Sequence, residues 1–289
     1  MRILITGATG LLGSNVVERL AAQQSEVFAL VREKDDLRTT AATNVIPIDF
    51  ETNWKIAKLP KTIDSVVHLS QSANFRNFPD SALSVFQVNV ASTARLLDYA
   101  GKAGARSFVF ASSGGIYGTG EQPFSETSPP LDPTKLGYYL GSKLASEALL
   151  HSYQSKFSTV ALRFFYIYGP HQTRSMLIPR LMDNVLNGRE ITLQGEHGMH
   201  INPIHVSDAA KAVIKAIIPT GDRVYNIAGP NVLSIRQIAE TMGRHLGASP
   251  LFKTVPEKAS DMVGDITLMR DRLNDPQIRL TDSFADILR

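Results

Sequence analysis

The chain has no cysteine among its 289 residues. This absence excludes disulfide bonds, thiolate metal sites and cysteine nucleophiles, and it fits a reducing compartment. The basic residues are spread along the chain, the net charge is only +3, and no Lys/Arg run or aromatic–basic stripe is present. We therefore expect no nucleic-acid partner. The spacing of His, Asp and Glu indicates no metal site either.

The chain also lacks a long uninterrupted apolar run. Glycines and polar residues break the first apolar stretch, so it predicts neither a signal peptide nor a membrane span. We expect a soluble, cytoplasmic protein that does not bind membranes. With 43% hydrophobic and 20% charged residues, the composition predicts a packed globular core.

Strand-like and helix-like segments alternate along the first part of the chain. The strand-like runs cover residues 2–6, 27–31, 45–48, 65–69, 106–111 and 159–164. This alternation predicts an α/β fold, a Rossmann-type doubly wound parallel sheet covered by helices. The pattern changes after residue 168. We predict a dinucleotide-binding domain over 1–168, with 203–228 returning to its sheet, and a smaller C-terminal substrate-binding lobe over 169–202 and 229–289.

Three glycines follow the first predicted strand, at Gly7, Gly10 and Gly13, and a helical segment comes next. Without a Cβ, these residues allow a tight turn and a close approach of backbone to phosphate. The N–H groups at a helix N-terminus favour a pyrophosphate. The spacing G-x-x-G-x-x-G differs from the general dinucleotide fingerprint. The alternative is a strand–helix turn with a structural role alone.

The end of the second predicted strand bears on the choice of cofactor. NAD-preferring sites usually have an acidic residue there, whereas this chain has Val31 and Arg32. Arginine can pair with a 2′-phosphate through two nitrogens. We therefore predict NADP, with NAD possible; the alternative is that Arg32 is a solvated loop arginine. Asp49 could accept a hydrogen bond from the adenine amino group, or serve only as a turn residue.

Tyr139 and Lys143 are four residues apart on a predicted helix, so they share one face. An ammonium near a phenol stabilises the phenolate and lowers its pKa from about 10, which makes the tyrosine a usable acid or base. Lys143 could also hydrogen-bond the nicotinamide ribose. Ser112 and Ser113 end an earlier strand, where open α/β sheets bind ligands. A serine hydroxyl there could orient the reacting oxygen.

Taken together, these motifs resemble the extended short-chain dehydrogenase/reductase family, in its branch of nucleotide-sugar epimerases, dehydratases and reductases. The matching segments are 6–13, 67–69, 88–90, 112–118, 139–143, 162–164, 168–170 and 202–208. The resemblance implies that Ser113 is the catalytic hydroxyl, that Asn89 braces the cofactor site, and that the protein is a homodimer.

The sequence thus yields three sets of candidate site residues. The predicted catalytic residues are Ser113, Tyr139 and Lys143. The predicted cofactor-binding residues are Gly7, Thr9, Gly10, Leu11, Leu12, Gly13, Arg32, Asp49, Phe50, Leu69, Ser70, Asn89, Ala111, Tyr139, Lys143 and Phe165. The predicted substrate-binding residues are Ser112, Gly114, Arg174 and His200.

Two departures from the family pattern bear on the reaction. Dehydratases of the family have an Asp–Glu pair directly after the catalytic hydroxyl, where this chain has Gly114 and Gly115, so we do not expect dehydration. Family epimerases often grip the nucleotide phosphates with one arginine before the segment 202–208 and another before 264–265. Here His200 and Asp261 stand close to those places. Arg174 and His200 are the predicted substitutes; surface or helix-capping roles are the alternative.

We predict an NADP-preferring oxidoreductase that acts on a sugar, which the resemblance suggests is linked to a nucleotide. A single reductive step would make it a ketosugar reductase, the function that Arg32 favours. Oxidation followed by reduction on the opposite face would make it an epimerase, for example a 4-epimerase with tightly bound NAD. A third possibility is a non-catalytic dinucleotide sensor or scaffold. Such proteins typically lose the tyrosine or the lysine, and both are present here.

Overall fold

The computed structural model describes residues 1–32, 43–219, 221 and 223–288. The strands are β1 (Arg2–Thr6), β2 (Glu26–Val31), β3 (Asn44–Pro47), β4 (Ser65–His68), β5 (Ser107–Ser113), β6 (Ser158–Phe164), β7 (Ile167–Tyr168), β8 (Glu190–Gln194), β9 (His200–Ile201), β10 (Ile204–His205), β11 (Arg223–Ile227), β12 (Leu233–Ser234) and β13 (Leu251–Val255). The α-helices are α1 (Leu11–Ala22), α2 (Ala82–Phe86), α3 (Ser92–Lys102), α4 (Gly137–His151), α5 (Leu177–Leu186), α6 (Val206–Ala216), α7 (Ile235–Leu246), α8 (Thr267–Arg272) and α9 (Phe284–Ile287). A π-helical turn, Gln87–Ala91, joins α2 to α3.

The chain divides into two compact units. The first comprises the described residues of Met1–Ile116, Pro130–Arg163 and Ala210–Tyr225. The second comprises those of Tyr117–Pro129, Phe164–Ala209 and Asn226–Arg289. The sequence-based boundary at residue 168 therefore differs from the structural division, which groups 117–129 and 164–168 with the second unit.

A mostly parallel sheet is the framework of the first unit. Among the described residues, seven strands form it in the order β11-β6-β5-β4-β1-β2-β3. β1 pairs in parallel with β2 on one side and with β4 on the other. The strand order therefore reverses at β1 and β4, and ligands of open α/β sheets bind beside the carboxyl ends of strands at such a point. This topology confirms the predicted Rossmann-type fold.

The central strands are apolar because the sheet is covered on both faces. Leu4, Val66 and Phe108 from three neighbouring strands belong to one buried cluster. His68 is one of the buried polar residues of these strands, with its Nδ1 atom 2.7 Å from the Thr6 hydroxyl and its Nε2 atom 3.0 Å from the Thr93 hydroxyl. Burial lowers the pKa of His68 to about 3, so the imidazole is neutral near pH 7.

The second unit has its own core and its own small sheets. Its buried cluster includes Tyr168, Met182, Leu193 and Ile238. β8 pairs in parallel with β13, β7 in parallel with β10, and β9 antiparallel with β12. Across the described ranges, no helix is long and apolar enough to cross a membrane.

Candidate active site

The glycine loop joins β1 to α1 along a path that leaves no space for a Cβ at Gly7 or Gly13. Gly7 has a positive φ of +67°, and a Cβ there would lie 2.9 Å from the backbone of Leu69 and Ser70. A Cβ on Gly13 would lie 2.0 Å from the Gly7 carbonyl oxygen. None of the described side chains caps α1, so the N–H groups of its first turn remain available to a phosphate.

Thr6 anchors the neighbouring segment beside this loop, a role that the sequence analysis missed. Its hydroxyl oxygen accepts hydrogen bonds from the backbone N–H groups of Leu69 and Ser70, both at 3.1 Å. These bonds hold the segment after β4 against Gly7. The available signal was one hydroxyl at the end of an otherwise apolar strand. The loop, the free helix terminus and this neighbouring backbone together fit a dinucleotide.

The residues predicted to bind the adenosine half of the cofactor lie in three different environments. Arg32 is exposed and directly follows β2. The Asp49 carboxylate accepts a hydrogen bond from the backbone N–H of Glu51 at 2.9 Å, as a turn residue does. The Phe50 ring is buried against Trp54 in the core. Its side chain therefore faces the interior, which argues against the predicted cofactor contact by the ring.

Tyr139 lies in the first turn of α4, where two residues from the segment after β4 contact it. Its hydroxyl donates to Oε1 of Gln71 at 3.0 Å, and its ring centroid is 4.7 Å from that of Phe75. Burial raises the pKa of Tyr139 to about 12, an effect that the Arg76 cation opposes. The expectation that Lys143 gives this phenol a lowered pKa is wrong for the protein alone, because burial outweighs the neighbouring charges.

Lys143 lies one turn further along α4 and is almost completely buried. Its Nζ atom donates to the Ala111 carbonyl oxygen at 2.8 Å and lies 5.1 Å from the centroid of the Phe110 ring. Burial lowers the pKa of Lys143 to about 7, and the Glu147 carboxylate opposes this shift. The side chain is therefore balanced between ammonium and amine near neutral pH.

Ser112 and Ser113 end β5 and make different contacts. The Ser113 hydroxyl accepts a hydrogen bond from the backbone N–H of Gly115 at 3.1 Å. The Ser112 hydroxyl is buried and donates to Oε1 of Glu147. Successive side chains of a strand point to opposite faces, which explains the difference. Ser112 is thus an interior partner of Glu147, and this geometry argues against its predicted substrate contact.

Asn89 lies in the π-helical turn and links two segments that flank Tyr139. Its side-chain oxygen accepts from the Ser72 N–H, and its amide nitrogen donates to the Ser142 hydroxyl, both at 2.9 Å. Ser142 in turn donates to the carbonyl oxygen of Tyr139 at 2.6 Å. π-helical turns occur frequently at functional sites. The first unit therefore brings together the glycine loop, Asn89, Ser113, Tyr139 and Lys143.

Gly114 belongs to the first unit, whereas Phe165, Arg174 and His200 belong to the second, where two of them are held by internal contacts. Phe165 is buried, and a Cβ on Gly264 would lie 2.8 Å from its ring. The Arg174 guanidinium binds both carboxylate oxygens of Asp183 and donates to the Ile287 carbonyl oxygen at 2.6 Å. These internal contacts argue against the predicted ligand roles of both side chains.

His200 pairs with Asp261, a contact that no local sequence pattern indicates. Its Nδ1 atom is 3.0 Å from Oδ1 of Asp261, and its backbone N–H donates to the same oxygen at 2.7 Å. These two residues stand near the places where the family resemblance leads us to expect phosphate-binding arginines. In the structure these two positions are in contact, but they hold a histidine and a carboxylate in place of two arginines.

Within the described residues, no cluster of His, Asp and Glu could hold a metal ion.

Residues 3–228 match the NAD dependent epimerase/dehydratase family. The chain belongs to this family. It is therefore a sugar enzyme of the extended short-chain dehydrogenase/reductase type, as the motifs predict.

Two curated relatives show the range of reactions in the family. The UDP-glucose 4-epimerase of Mycolicibacterium smegmatis is 27% identical over an alignment of 309 positions, gaps included, which covers 99% of this chain and 96% of that protein. The dTDP-D-glucose 4,6-dehydratase of Mus musculus is 27% identical over 261 residues, which cover 83% of this chain and 72% of that protein.

Solved structures confirm the fold along the whole chain. MoeE5 in complex with UDP-glucose and NAD is 26% identical, with a TM-score of 0.85 and coverage of 100% of this chain and 97% of that one. The UDP-glucuronic acid 4-epimerase of Bacillus cereus in complex with NAD has a TM-score of 0.86 at 24% identity, with coverage of 100% and 99%. Both neighbours hold NAD; neither supports the preference for NADP predicted from Arg32.

Proposed function

We propose that this protein is an NAD-dependent nucleotide-sugar 4-epimerase. The observation that carries the proposal is the Tyr139–Lys143 pair on α4, which shares one unit with the glycine loop and Ser113. A relative similar over nearly the whole chain is a 4-epimerase, which favours this function over the predicted ketosugar reductase.

In this proposal NAD is held by the glycine loop and the N-terminus of α1, and it supplies a reversible hydride acceptor for C4 of the sugar. Tyr139 takes the proton of the C4 hydroxyl and later returns it to the C4 oxygen. Ser113 donates a hydrogen bond to that oxygen and orients it. Lys143, as an ammonium, stabilises the Tyr139 phenolate and opposes the effect of burial. The substrate hydroxyl replaces Gln71 as the partner of Tyr139.

Glycines at 114 and 115 support epimerisation over dehydration. Elimination of water needs an acid and a base beside the sugar, and neither glycine supplies a carboxyl group. A Cβ on Gly115 would lie 2.9 Å from the Leu140 side chain, so an acidic side chain at 115 would require Leu140 to move. The likeness to a dehydratase therefore reflects the shared fold and cofactor chemistry.

One observation favours a second candidate, a ketosugar reductase that uses NADPH. Arg32 follows β2 at the place where an acidic residue would bind the ribose hydroxyl of NAD, and it can pair with a 2′-phosphate. A reductase consumes NADPH in proportion to product. An epimerase consumes none, so stoichiometry separates the two functions.

We assign substrate binding to the second unit and expect a nucleotide-linked sugar as the ligand, as in the solved MoeE5 complex. The His200–Asp261 pair implies that the diphosphate is not gripped there by two arginines. We also propose a homodimer. Large apolar side chains of the first unit are exposed around α2 and at the start of α4: Phe78, Leu83, Phe86 and Tyr138. Light scattering on the purified protein would test the dimer.

The function is tested with purified protein that receives no added cofactor. We expect cofactor released by denaturation to be NAD, and UDP-glucose, UDP-glucuronate or UDP-N-acetylglucosamine to be converted to its C4 epimer, as followed by NMR. Tyr139→Phe is the inactive control. NADPH oxidation in proportion to a reduced sugar, with no epimer formed, would establish the reductase instead.

A further inference from the structure

Two side chains on α4, one helical turn apart, are bonded to the end of β5. Lys143 donates from Nζ to the Ala111 carbonyl oxygen at 2.8 Å. Glu147 accepts a hydrogen bond from the hydroxyl of the next strand residue, Ser112. Ser113, the predicted catalytic hydroxyl, follows directly. These two contacts therefore fix how the strand end that presents Ser113 lies against the helix that presents Tyr139.

The Glu147 carboxylate is itself held by a buried arginine. Arg163, on β6, donates from Nε to Oε1 at 3.0 Å and from an Nη atom to Oε2 at 2.6 Å. The side chains of Arg163 and Glu147 are only 7% and 10% exposed. Removing two charges from water is costly, so such a pair persists only with good geometry and further hydrogen bonds. Ser112 supplies one of these bonds.

Lys143 needs a counter-charge because burial disfavours an ammonium. The titratable groups around it come from several elements. Tyr139 and Glu147 flank it on α4, Arg163 lies on β6 and binds Glu147, neutral His68 lies on β4, and Arg76 acts on Tyr139. Among these groups Glu147 supplies the negative charge.

We propose that Glu147, held by Arg163, is a positioning residue of the active site. It raises the fraction of Lys143 that is protonated at the pH of turnover, and through Ser112 it holds the end of β5 in register with α4. The proposal rests on the proposed roles of Lys143 and Ser113 in catalysis. Its physical content, the protonation of Lys143, can be measured without any substrate.

The direct test is a titration of Lys143 by NMR in protein labelled at the lysine ε-carbons. The Lys143 signal is assigned by its loss in Lys143→Met. In the unchanged protein we expect a midpoint at a pH of about 7. Glu147→Gln removes the charge and keeps the shape, so the midpoint should fall by about one unit or more. An unchanged midpoint in a folded Glu147→Gln protein would overturn the proposal.

Two further variants separate charge from general perturbation. Glu18→Gln removes one negative charge from an exposed position on α1 of the same unit and should leave the midpoint unchanged. Ser112→Ala removes the contact that holds the end of β5 against α4, so it should lower turnover. Because it keeps every charge, it should leave the Lys143 midpoint in place. A midpoint that falls equally in Glu18→Gln would contradict a specific role for Glu147.

The pH dependence of turnover gives a second readout that a merely structural role would not produce. With less ammonium at Lys143, the alkaline limb of the kcat profile should move to lower pH in Glu147→Gln, with KM little changed. A structural role would lower kcat by the same factor at every pH. If Glu147→Gln does not fold, the double variant Glu147→Gln/Arg163→Met removes both members of the buried ion pair, so Arg163 is not left without its carboxylate, and the Lys143 midpoint should still fall. If the protein proves not to be an epimerase, the NMR midpoints still decide the proposal.

Discussion

Arg163 in the first unit and Arg174 in the second each hold a carboxylate through two nitrogens, yet their surroundings differ. Arg163 and Glu147 are 7% and 10% exposed and adjoin the predicted catalytic lysine. Arg174 and Asp183 are 45% and 24% exposed and tie α5 to the segment before it. The same pairing therefore affects the charge balance of the candidate site in one unit and only local surface structure in the other. The residue types alone do not distinguish the two pairs, because the difference between them lies in their burial.

The largest effect is expected at the first unit's acid–base residue. Replacing Tyr139 with Phe removes the hydroxyl that exchanges the proton, so kcat should fall by about 10²- to 10⁴-fold while bound cofactor is retained. Tyr138→Phe is the matched control: Tyr138 precedes Tyr139 on α4 and is exposed, so loss of its hydroxyl should change kcat by less than about twofold. Equal losses of activity in the two variants would refute the assignment.

The two arginines provide the most direct test of the comparison itself. Arg163→Met leaves Glu147 buried without its charge partner and should lower the free energy of unfolding by about 3–5 kcal/mol. Arg174→Met breaks a partly exposed pair and should cost about 1 kcal/mol or less, with KM for the sugar substrate unchanged. Urea unfolding and steady-state kinetics measure both. A raised KM in Arg174→Met would restore its predicted role in substrate binding.

Two glycines of the first unit should respond in opposite directions to replacement by alanine. Gly13→Ala places a Cβ 2.0 Å from a backbone oxygen, so we expect a loss of about 1–3 kcal/mol of stability together with loss of bound cofactor. Gly141→Ala lies in α4 with no atom near the added Cβ and should stabilise the protein by about 0.5–1 kcal/mol. Thermal unfolding and cofactor content are measured together. Retention of cofactor by Gly13→Ala would contradict the role of the loop.

The buried imidazole of the first unit should make the fold sensitive to acid. Burial lowers the pKa of His68 to about 3, and the Lys143 charge adds to this effect. The unfolded chain therefore binds a proton below pH 6.5 that the folded chain takes up only near pH 3, so stability falls as the pH falls through this window. The loss at pH 5 is about 2 kcal/mol. Urea unfolding at pH 7.5 and 5 should show less of this loss in His68→Gln.

His151→Gln is the control for that experiment. His151 is exposed at the end of α4, so its removal should leave the acid sensitivity in place. If His151→Gln and His68→Gln change the pH dependence equally, the loss of stability does not come from burial of the imidazole.

The features that could be predicted depend on short-range patterns. Apolar runs predict the central strands, because strands covered on both faces are apolar along their length and do not alternate with polar residues. The glycine spacing and the four-residue offset between Tyr139 and Lys143 are likewise patterns of residues that lie close together in the sequence. The π-helical turn Gln87–Ala91 between α2 and α3 is a local change that the apolar pattern does not show.

What could not be predicted depends on side-chain direction and on distant partners. The inward direction of Ser112 follows from which face its strand end presents, and a one-residue shift reverses it. Phe50 lies in a turn after β3, where no strand alternation predicts its direction. The contact of Gln71 with Tyr139 joins residues from separate elements. His200 and Asp261 are likewise far apart in the chain. Arg32 alone was too little to assign the cofactor, because one exposed arginine has several uses.

The central claim is that the hydride leaves and returns to the same sugar carbon while the protein keeps its cofactor. The most direct measurement is the conversion of UDP-sugar deuterated at C4 by purified protein in ordinary water, with no cofactor added. The account predicts a C4 epimer that retains the deuterium. Loss of the deuterium to solvent, or product only when NADPH is supplied and consumed, would contradict it.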